Sequence, residues 1–219
     1  MKGLLIKDFM LLKNQRLFLG VIMFMSIAFA AIYKNPFFAL GYASSLISIF
    51  AVSTIKYDEY DNGMTYLFTL PFSRRQYVRE KYVFGGLLMG ATIICAGLIS
   101  FCVALVQGNS YTWQEWSGTI ALSILAVVLI LVLSIPVELR FEAEKGRMAI
   151  MLIVGGVALI LFLLGKVAML QLGVDVEVLL DRVIYGSQFT LYIGILFFAI
   201  AGLGISYLCS VRIMENKEL

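Results

Sequence analysis

The chain has 219 residues, of which 61% are hydrophobic, and its mean hydropathy is +0.95. A soluble domain is roughly 45–50% apolar, so this composition excludes a water-soluble fold and predicts a chain embedded in lipid. The net charge of +3 is too small to indicate a nucleic-acid partner, and the lack of histidine excludes histidine-dependent catalytic and metal sites. Three cysteines within apolar runs predict no disulfide framework.

Residues 1–16 predict a short elbow helix that lies on the inner membrane surface. Its apolar stripe consists of Leu5, Phe9 and Leu12, and Lys7, Asp8 and Asn14 lie roughly opposite. A secretory signal peptide is the alternative, because Ala28-Phe29-Ala30 resembles a cleavage site.

Six apolar stretches follow, each with a length that crosses a bilayer as a helix. They are residues 17–33, 36–55, 83–106, 117–137, 148–165 and 188–210. Each must be helical because lipid offers the backbone polar groups no other partner. The sequence therefore predicts an all-α integral membrane protein, a single domain over residues 1–219 with six transmembrane helices.

The basic residues predict the orientation, because cytoplasmic segments carry an excess of lysine and arginine. With the N-terminus inside, the inner segments hold 14 of the 17 basic residues. Both termini are then cytoplasmic, residues 56–82 and 138–147 form cytoplasmic loops, and residues 166–187 form an extracellular amphipathic segment. Trp113 and Trp116 fall in an outer loop, as interfacial anchors do.

The loop of residues 56–82 is the longest polar interruption in the chain. Ser73 and Gln76 have the spacing of a capping box, and Phe72 and Tyr77 that of a hydrophobic staple. Pro71 keeps Leu70 extended. We therefore expect an ordered loop, with a turn at Pro71 and a helix that continues into the third span.

Polar residues near the spans allow more than one interpretation. Ser44, Ser45 and Ser48 on the second span either pack helices together or line a transient pathway. Gly86 and Gly90 form a small-residue face for packing, and Cys95 and Cys102 are interpreted as packing residues too. No acidic or basic residue lies inside a predicted span, which disfavours a proton-coupled transporter.

Asp58, Glu59 and Asp61 form an acidic cluster at the inner end of the second span. Such a cluster is a catalytic pair, a metal site, a solvated helix end, or a contact for basic residues of a partner. The chain has no phosphate-binding glycine-rich loop, since the Gly165-Lys166 pair lacks the first glycine and the hydroxyl. This chain is therefore expected to bind no cofactor, and ATP with magnesium would belong to another subunit.

The long loop resembles the permease subunits of small ABC-2 type exporters. The resemblance rests on Asp58-Glu59, then Leu67-x-x-Leu70-Pro71-x-Ser73-Arg74-x-x-Tyr77-Val78-x-x-Lys81-Tyr82, and later Glu144-Lys145-Gly146-Arg147 and the ending Lys217-Glu218-Leu219. Within that family, the chain resembles the membrane subunit of exporters of amphipathic phenol-soluble-modulin peptides.

The resemblance implies a homodimer in the bacterial plasma membrane with two ATPase subunits below it, exporting a hydrophobic or amphipathic substrate. A coupling helix within about Asp58–Thr69, together with the second cytoplasmic loop, would contact the ATPase. The implied contact residues are Asp58, Glu59, Tyr60, Asp61, Met64, Tyr66, Leu67, Pro71, Ser73, Arg74, Glu144, Lys145 and Arg147. The competing hypotheses are an intramembrane enzyme and a non-transporting assembly or immunity protein.

Overall fold

The computed structural model describes residues 2–33, 36–60, 63–108, 112–141 and 188–217, and every regular element within these ranges is helical. The helices are α1 (Lys2–Asn14), α2 (Arg16–Ile32), α3 (Pro36–Glu59), α4 (Gly63–Leu67), α5 (Arg74–Gln107), α6 (Trp113–Arg140) and α7 (Gln188–Glu215). The predicted fifth span, the extracellular segment and residues 142–147 lie outside the described residues.

Four of these helices, α3, α5, α6 and α7, are long and apolar enough to cross a membrane. Helices α1 and α2 meet at an angle of 68° and pass the same test as one bent pair, so the described residues hold four or five candidate spans. The all-helical membrane fold is confirmed. The count of six spans and the cytoplasmic position of both termini stay predictions.

Capping boxes begin both α5 and α6. At α5, Ser73 Oγ accepts a hydrogen bond from Gln76 N (3.2 Å), and Gln76 Oε1 accepts one from Ser73 N (3.1 Å). Thr112 and Glu115 repeat the arrangement at α6, with distances of 3.4 and 2.8 Å. The capping box predicted at Ser73 is confirmed, and α5 runs unbroken from the polar loop through the predicted third span.

Helix α3 lies at the centre of the bundle and packs against α2, α5 and α6, while α7 packs against α5 and α6. Helix α5 lies close to α6 at Gly85, where a Cβ atom would lie 2.9 Å from Leu131 Cδ2. A Cβ atom on Gly86 or Gly90 would meet nothing within 4 Å. Neither glycine makes a close contact among the described residues, and the packing role of that pair stays a prediction.

Two side-chain predictions on the surface helices are wrong. The pattern of α1 placed Asp8 on a polar outer face, yet Leu4 and Asp8 are the buried residues of this helix. Asp8 is buried because its carboxylate pairs with a lysine of α5, as described below. Cys95 and Cys102 are exposed on α5, so neither packs against another helix of the described chain.

The end of the bundle that holds α4 is called the loop end. The last turns of α3, α6 and α7 and the first turn of α5 meet there, as their hydrogen bonds and ion pairs demonstrate. A buried apolar cluster lies beneath it and includes Ile55, Met64, Tyr77, Leu139 and Met214. This cluster positions the polar groups of the site.

Candidate functional site

A short helix, α4, lies inside the region where a coupling helix is predicted. Met64 anchors it, being only 4% exposed within the apolar cluster of the loop end. Gly63 allows α4 to follow α3 closely, since a Cβ atom there would lie 2.9 Å from the carbonyl oxygen of Asp58. Tyr60 and Tyr66 point outward and are 75% and 76% exposed.

An ordered turn connects α4 to α5. Phe72 N donates to Leu70 O (2.8 Å), which closes a three-residue turn around Pro71. The ring of Phe68 lies between Phe72 and Tyr77, with centroid distances of 5.4 and 5.7 Å. The predicted turn at Pro71 is confirmed, and Phe68 links the two rings that the staple pattern paired.

A group of charged side chains, called here the ion cluster, lies behind this turn and consists of Lys7, Asp8, Asp58, Glu80 and Lys81, all of them buried except the partly exposed Lys7. Lys81 Nζ is at its centre, 2.6 Å from Asp8 Oδ2 and 2.9 Å from Asp58 Oδ2. It also donates to Thr54 Oγ1 at 3.0 Å. The side chain of Lys81 is 1% exposed and that of Asp8 is 0% exposed.

Further contacts extend the ion cluster to three helices. Lys7 of α1 contacts Asp58 of α3 and lies 3.2 Å from Asp8 Oδ1. Tyr77 of α5 donates from its hydroxyl to Asp58 Oδ2 at 3.0 Å. Separation of these helices would break the pairs and leave buried charges without a partner, which is costly. The contacts therefore hold α1, α3 and α5 in fixed positions relative to one another.

Glu80 is the member of the ion cluster with the weakest contacts. Its side chain is 0% exposed, and its Oε2 atom lies 3.8 Å from Lys81 Nζ. Neither carboxylate oxygen has a hydrogen-bond partner among the described residues. With two lysines facing three carboxylates, the ion cluster holds more acidic than basic groups.

A second set of contacts joins α6 and α7 to the loop end. Lys56 Nζ lies 2.9 Å from Glu138 Oε1, and Lys217 contacts Glu59. Arg74 donates to the carbonyl oxygens of Met214 (2.9 Å) and Glu215 (2.7 Å). Basic side chains commonly satisfy the free carbonyl groups at a helix C-terminus in this way.

The structure places the predicted contact residues in three groups. Asp58, Glu59 and Arg74 are bound within the chain, and Met64 and Leu67 pack into the loop end. Tyr60, Tyr66, Pro71 and Ser73 are exposed. Asp61, Glu144, Lys145 and Arg147 lie outside the described residues.

One of the interpretations of the acidic cluster is wrong for one of its residues. A solvated helix end is wrong for Asp58, which is 8% exposed and paired with two lysines. Contact of Asp58 or Glu59 with a partner's basic residues stays a prediction, although both carboxylates already have basic partners in this chain. No group of three or more acidic or cysteine side chains among the described residues is placed to hold a metal ion.

Sequence reasoning missed Lys7, Asp8, Glu80 and Lys81 as site residues. A signal was present for part of the set, because Thr54 and Asp58 lie four residues apart on one helix, as do Tyr77 and Lys81 on another. Each pair therefore shares a helix face. Which two faces meet depends on the packing of distant segments.

The three serines of the predicted pathway separate in the structure. Ser44 and Ser48 are buried and donate to carbonyl groups of their own helix, each at 2.6 Å. Ser45 instead lines a cavity of about 380 Å³ between α2, α3 and α6. The cavity lining is uncharged and consists of Phe29, Phe38, Gly41, Tyr42, Ser45, Leu122, Ser123 and Ala126.

Comparison with protein families gives a match over nearly the whole chain. Residues 3–215 match a family model described as ABC-2 family transporter protein. The chain belongs to this family. No curated protein and no solved structure matches the chain. The narrower similarity to phenol-soluble-modulin exporters stays a prediction.

Family membership fixes the general role of this ABC-2 protein. It is a multi-pass membrane component of an ABC transporter, a permease subunit that associates with ATP-binding partner subunits. Permeases of this family generally have no ATPase site of their own.

Proposed function

We propose that this ABC-2 permease is an exporter subunit of the bacterial plasma membrane, in which two copies form the pathway and two ATP-binding subunits dock at the loop end. ATP and magnesium are bound by those partners. The cargo is hydrophobic or amphipathic, and the sequence resemblance favours a peptide. The ion cluster is the observation that carries the proposal, because it connects the segment holding α4 to three helices by buried charges.

Force applied at α4 has a short path into the bundle. Met64 of α4 packs with Tyr77 of α5 in one apolar cluster, and Asp58 just before α4 is held from α1 and α5. Buried charge pairs are directional and strong, so α4 moves together with these helices. Because α5 is unbroken from Arg74 to Gln107, displacement of its first turn moves the whole span.

The surface offered to the ATP-binding subunit is aromatic. Tyr60 and Tyr66 are largely exposed, and Leu70 beside them is 47% exposed. Aromatic side chains are enriched in protein interfaces, whereas Asp58 and Arg74 are already bound within the chain. Among these residues, the exposed tyrosines therefore carry the docking contact.

The cavity at Ser45 supports an apolar or amphipathic cargo. Its lining has aromatic rings and hydroxyl groups but no charge. A charged cargo group would need a counter-charge in such a low-dielectric place, since burial of an unpaired charge is costly. An amphipathic molecule instead places its apolar side against these rings.

The deciding experiment co-expresses the permease with its ATP-binding partner and measures their association. A Tyr60→Ser/Tyr66→Ser variant should retain at least tenfold less of that subunit on purification, because truncation of a central aromatic residue costs about 2 kcal/mol or more. Export should fall in parallel. Both side chains are exposed, so the variant should fold as the wild type does.

Trp113→Ser provides the matched control, since Trp113 is 84% exposed at the opposite end of the bundle. It should leave association unchanged. Undiminished association in the tyrosine variant would show that the docking surface lies elsewhere. If the wild-type chain recovers no ATP-binding subunit, the competing hypotheses of an intramembrane enzyme or a non-transporting immunity protein gain support.

A further inference from the structure

A basic cavity of about 390 Å³ lies between the ends of α6 and α7. Leu139, Arg140, Arg212, Ile213, Asn216 and Lys217 line it. Lys217 is paired with Glu59. Arg140 stacks over the ring of Phe141, and neither Arg140 nor Arg212 has an acidic partner among the described residues.

An exposed apolar stripe of α7 leads directly to this cavity. Phe198, Ala201, Ile205 and Leu208 precede Arg212 at spacings of three and four residues, so all five lie on one helix face. Ile205 and Leu208 are 65% and 68% exposed. At 1.5 Å per residue they lie roughly 10 and 6 Å from Arg212 along the helix, within the ~15 Å of one lipid leaflet.

We propose that this cavity and stripe form a binding site for an anionic phospholipid of the leaflet at the loop end. The headgroup phosphate lies between the guanidinium groups of Arg140 and Arg212, which bind phosphate oxygens bidentately. One acyl chain follows the stripe past Leu208 and Ile205. Basic pockets between transmembrane helices bind anionic headgroups by this combination of charge and depth.

The combination of charge and apolar surface favours lipid over a soluble partner. An acidic protein surface would satisfy the arginines but would make no use of the apolar stripe of α7 that leads to them. A soluble phosphate would likewise cover the cations alone. Only an amphiphile with an anionic head and a hydrocarbon tail matches both parts, and the site does not depend on the proposed transport function.

Binding is measured by native mass spectrometry of the purified full chain, titrated with phosphatidylglycerol or with phosphatidylcholine. The wild type should retain phosphatidylglycerol preferentially. An Arg140→Gln/Arg212→Gln variant should bind it about 30-fold more weakly, which follows from the contribution of two basic residues near an anionic headgroup. Arg140→Lys/Arg212→Lys should recover most of the affinity.

The matched control is Lys13→Gln/Arg79→Gln, which removes the same charge from exposed residues elsewhere at the loop end. It should change the affinity less than threefold. An equal loss in this control would overturn the proposal in favour of general surface charge. Competition by soluble glycerol phosphate at the concentrations at which the lipid binds would overturn it in favour of a small-anion site. A wild type that binds both lipids equally would overturn it outright.

Discussion

The two halves of the bundle are held together by different kinds of contact. At the loop end, charged side chains join distant parts of the chain, such as Asp8 with Lys81, 73 positions apart, and Arg75 with Glu215, 140 positions apart. In the other half, buried hydroxyls such as those of Ser26 and Ser44 bond to carbonyl groups of their own helix. Helices there are joined by apolar packing and by uncharged hydrogen bonds, such as Gln107 Nε2 to Ala31 O (2.8 Å) and the one between the hydroxyls of Ser117 and Tyr192 (2.7 Å).

This difference has a mechanical consequence. Ion pairs and hydrogen bonds are directional, so they fix the relative positions of α1, α3 and α5 at the loop end. Among the described residues, the other half has no such network of ion pairs, so its helices are freer to shift and repack. The export mechanism proposed above, in which force enters at the loop end, would use this division, and the following variants test it.

The largest effect is expected from Lys81→Met, which removes the centre of the ion cluster. Asp8 and Asp58 would be left buried without their main cation, and the free energy of unfolding should fall by about 3–5 kcal/mol. Unfolding of the purified chain in mixed detergent measures this change. Arg79→Met removes an exposed cation two positions away and should cost less than about 0.5 kcal/mol.

A double variant sharpens the same test. Asp8→Asn combined with Lys81→Met removes both members of one pair, so the loss should be smaller than the sum of the two single losses. Additive losses would mean that Asp8 and Lys81 do not interact, and that other contacts hold α1 to α5.

An intermediate effect is expected at the contact between α5 and α6. Gly85→Ala places a methyl group 2.9 Å from Leu131 and should destabilise the fold by about 1–3 kcal/mol through overpacking. Gly86→Ala meets no neighbour among the described residues and should be neutral or slightly stabilising, because alanine favours a helix over glycine. Thermal unfolding of both variants measures these effects. Equal stabilities would show that the two positions are packed alike.

The smallest effect on stability, with a specific effect on function, is expected from Ser73→Ala. Loss of this cap should lower the free energy of unfolding by about 1 kcal/mol. Thr112→Ala should have a similar effect because it removes the equivalent cap at the start of α6. Only Ser73→Ala frays the joint between α4 and α5, so only it should lower the amount of cargo exported per ATP hydrolysed. Equal coupling in the two variants would argue against a mechanical role for this joint.

The helices and their starts follow from local signals, which is why sequence reasoning placed them well. Hydrophobic length predicted the helices α2, α3, α5, α6 and α7, and the spacing of Ser73 and Gln76 predicted the start of α5. The second capping box at Thr112 carries the same spacing and was equally readable from the sequence.

The partners of the charged residues could not be predicted from local signals. Asp8 was expected on a polar outer face, and Asp58 at a solvated helix end or against a partner protein, because isolated helices give no information about what they pack against. Both side chains are buried by helix packing that brings α1, α3 and α5 together. Helix packing also determines which glycine lies at the close contact with α6, and it is Gly85 and not Gly86.

The sequence by itself determined that this chain is embedded in a lipid membrane, that it is helical, and where a helix begins in its polar loop. These properties depend on composition and on residues within four positions of one another. Only the tertiary structure decided that Lys81 meets Asp8 and Asp58, and that the tyrosines beside α4 face outward. Such contacts depend on how whole helix faces fit together, and that fit is a property of the packed bundle.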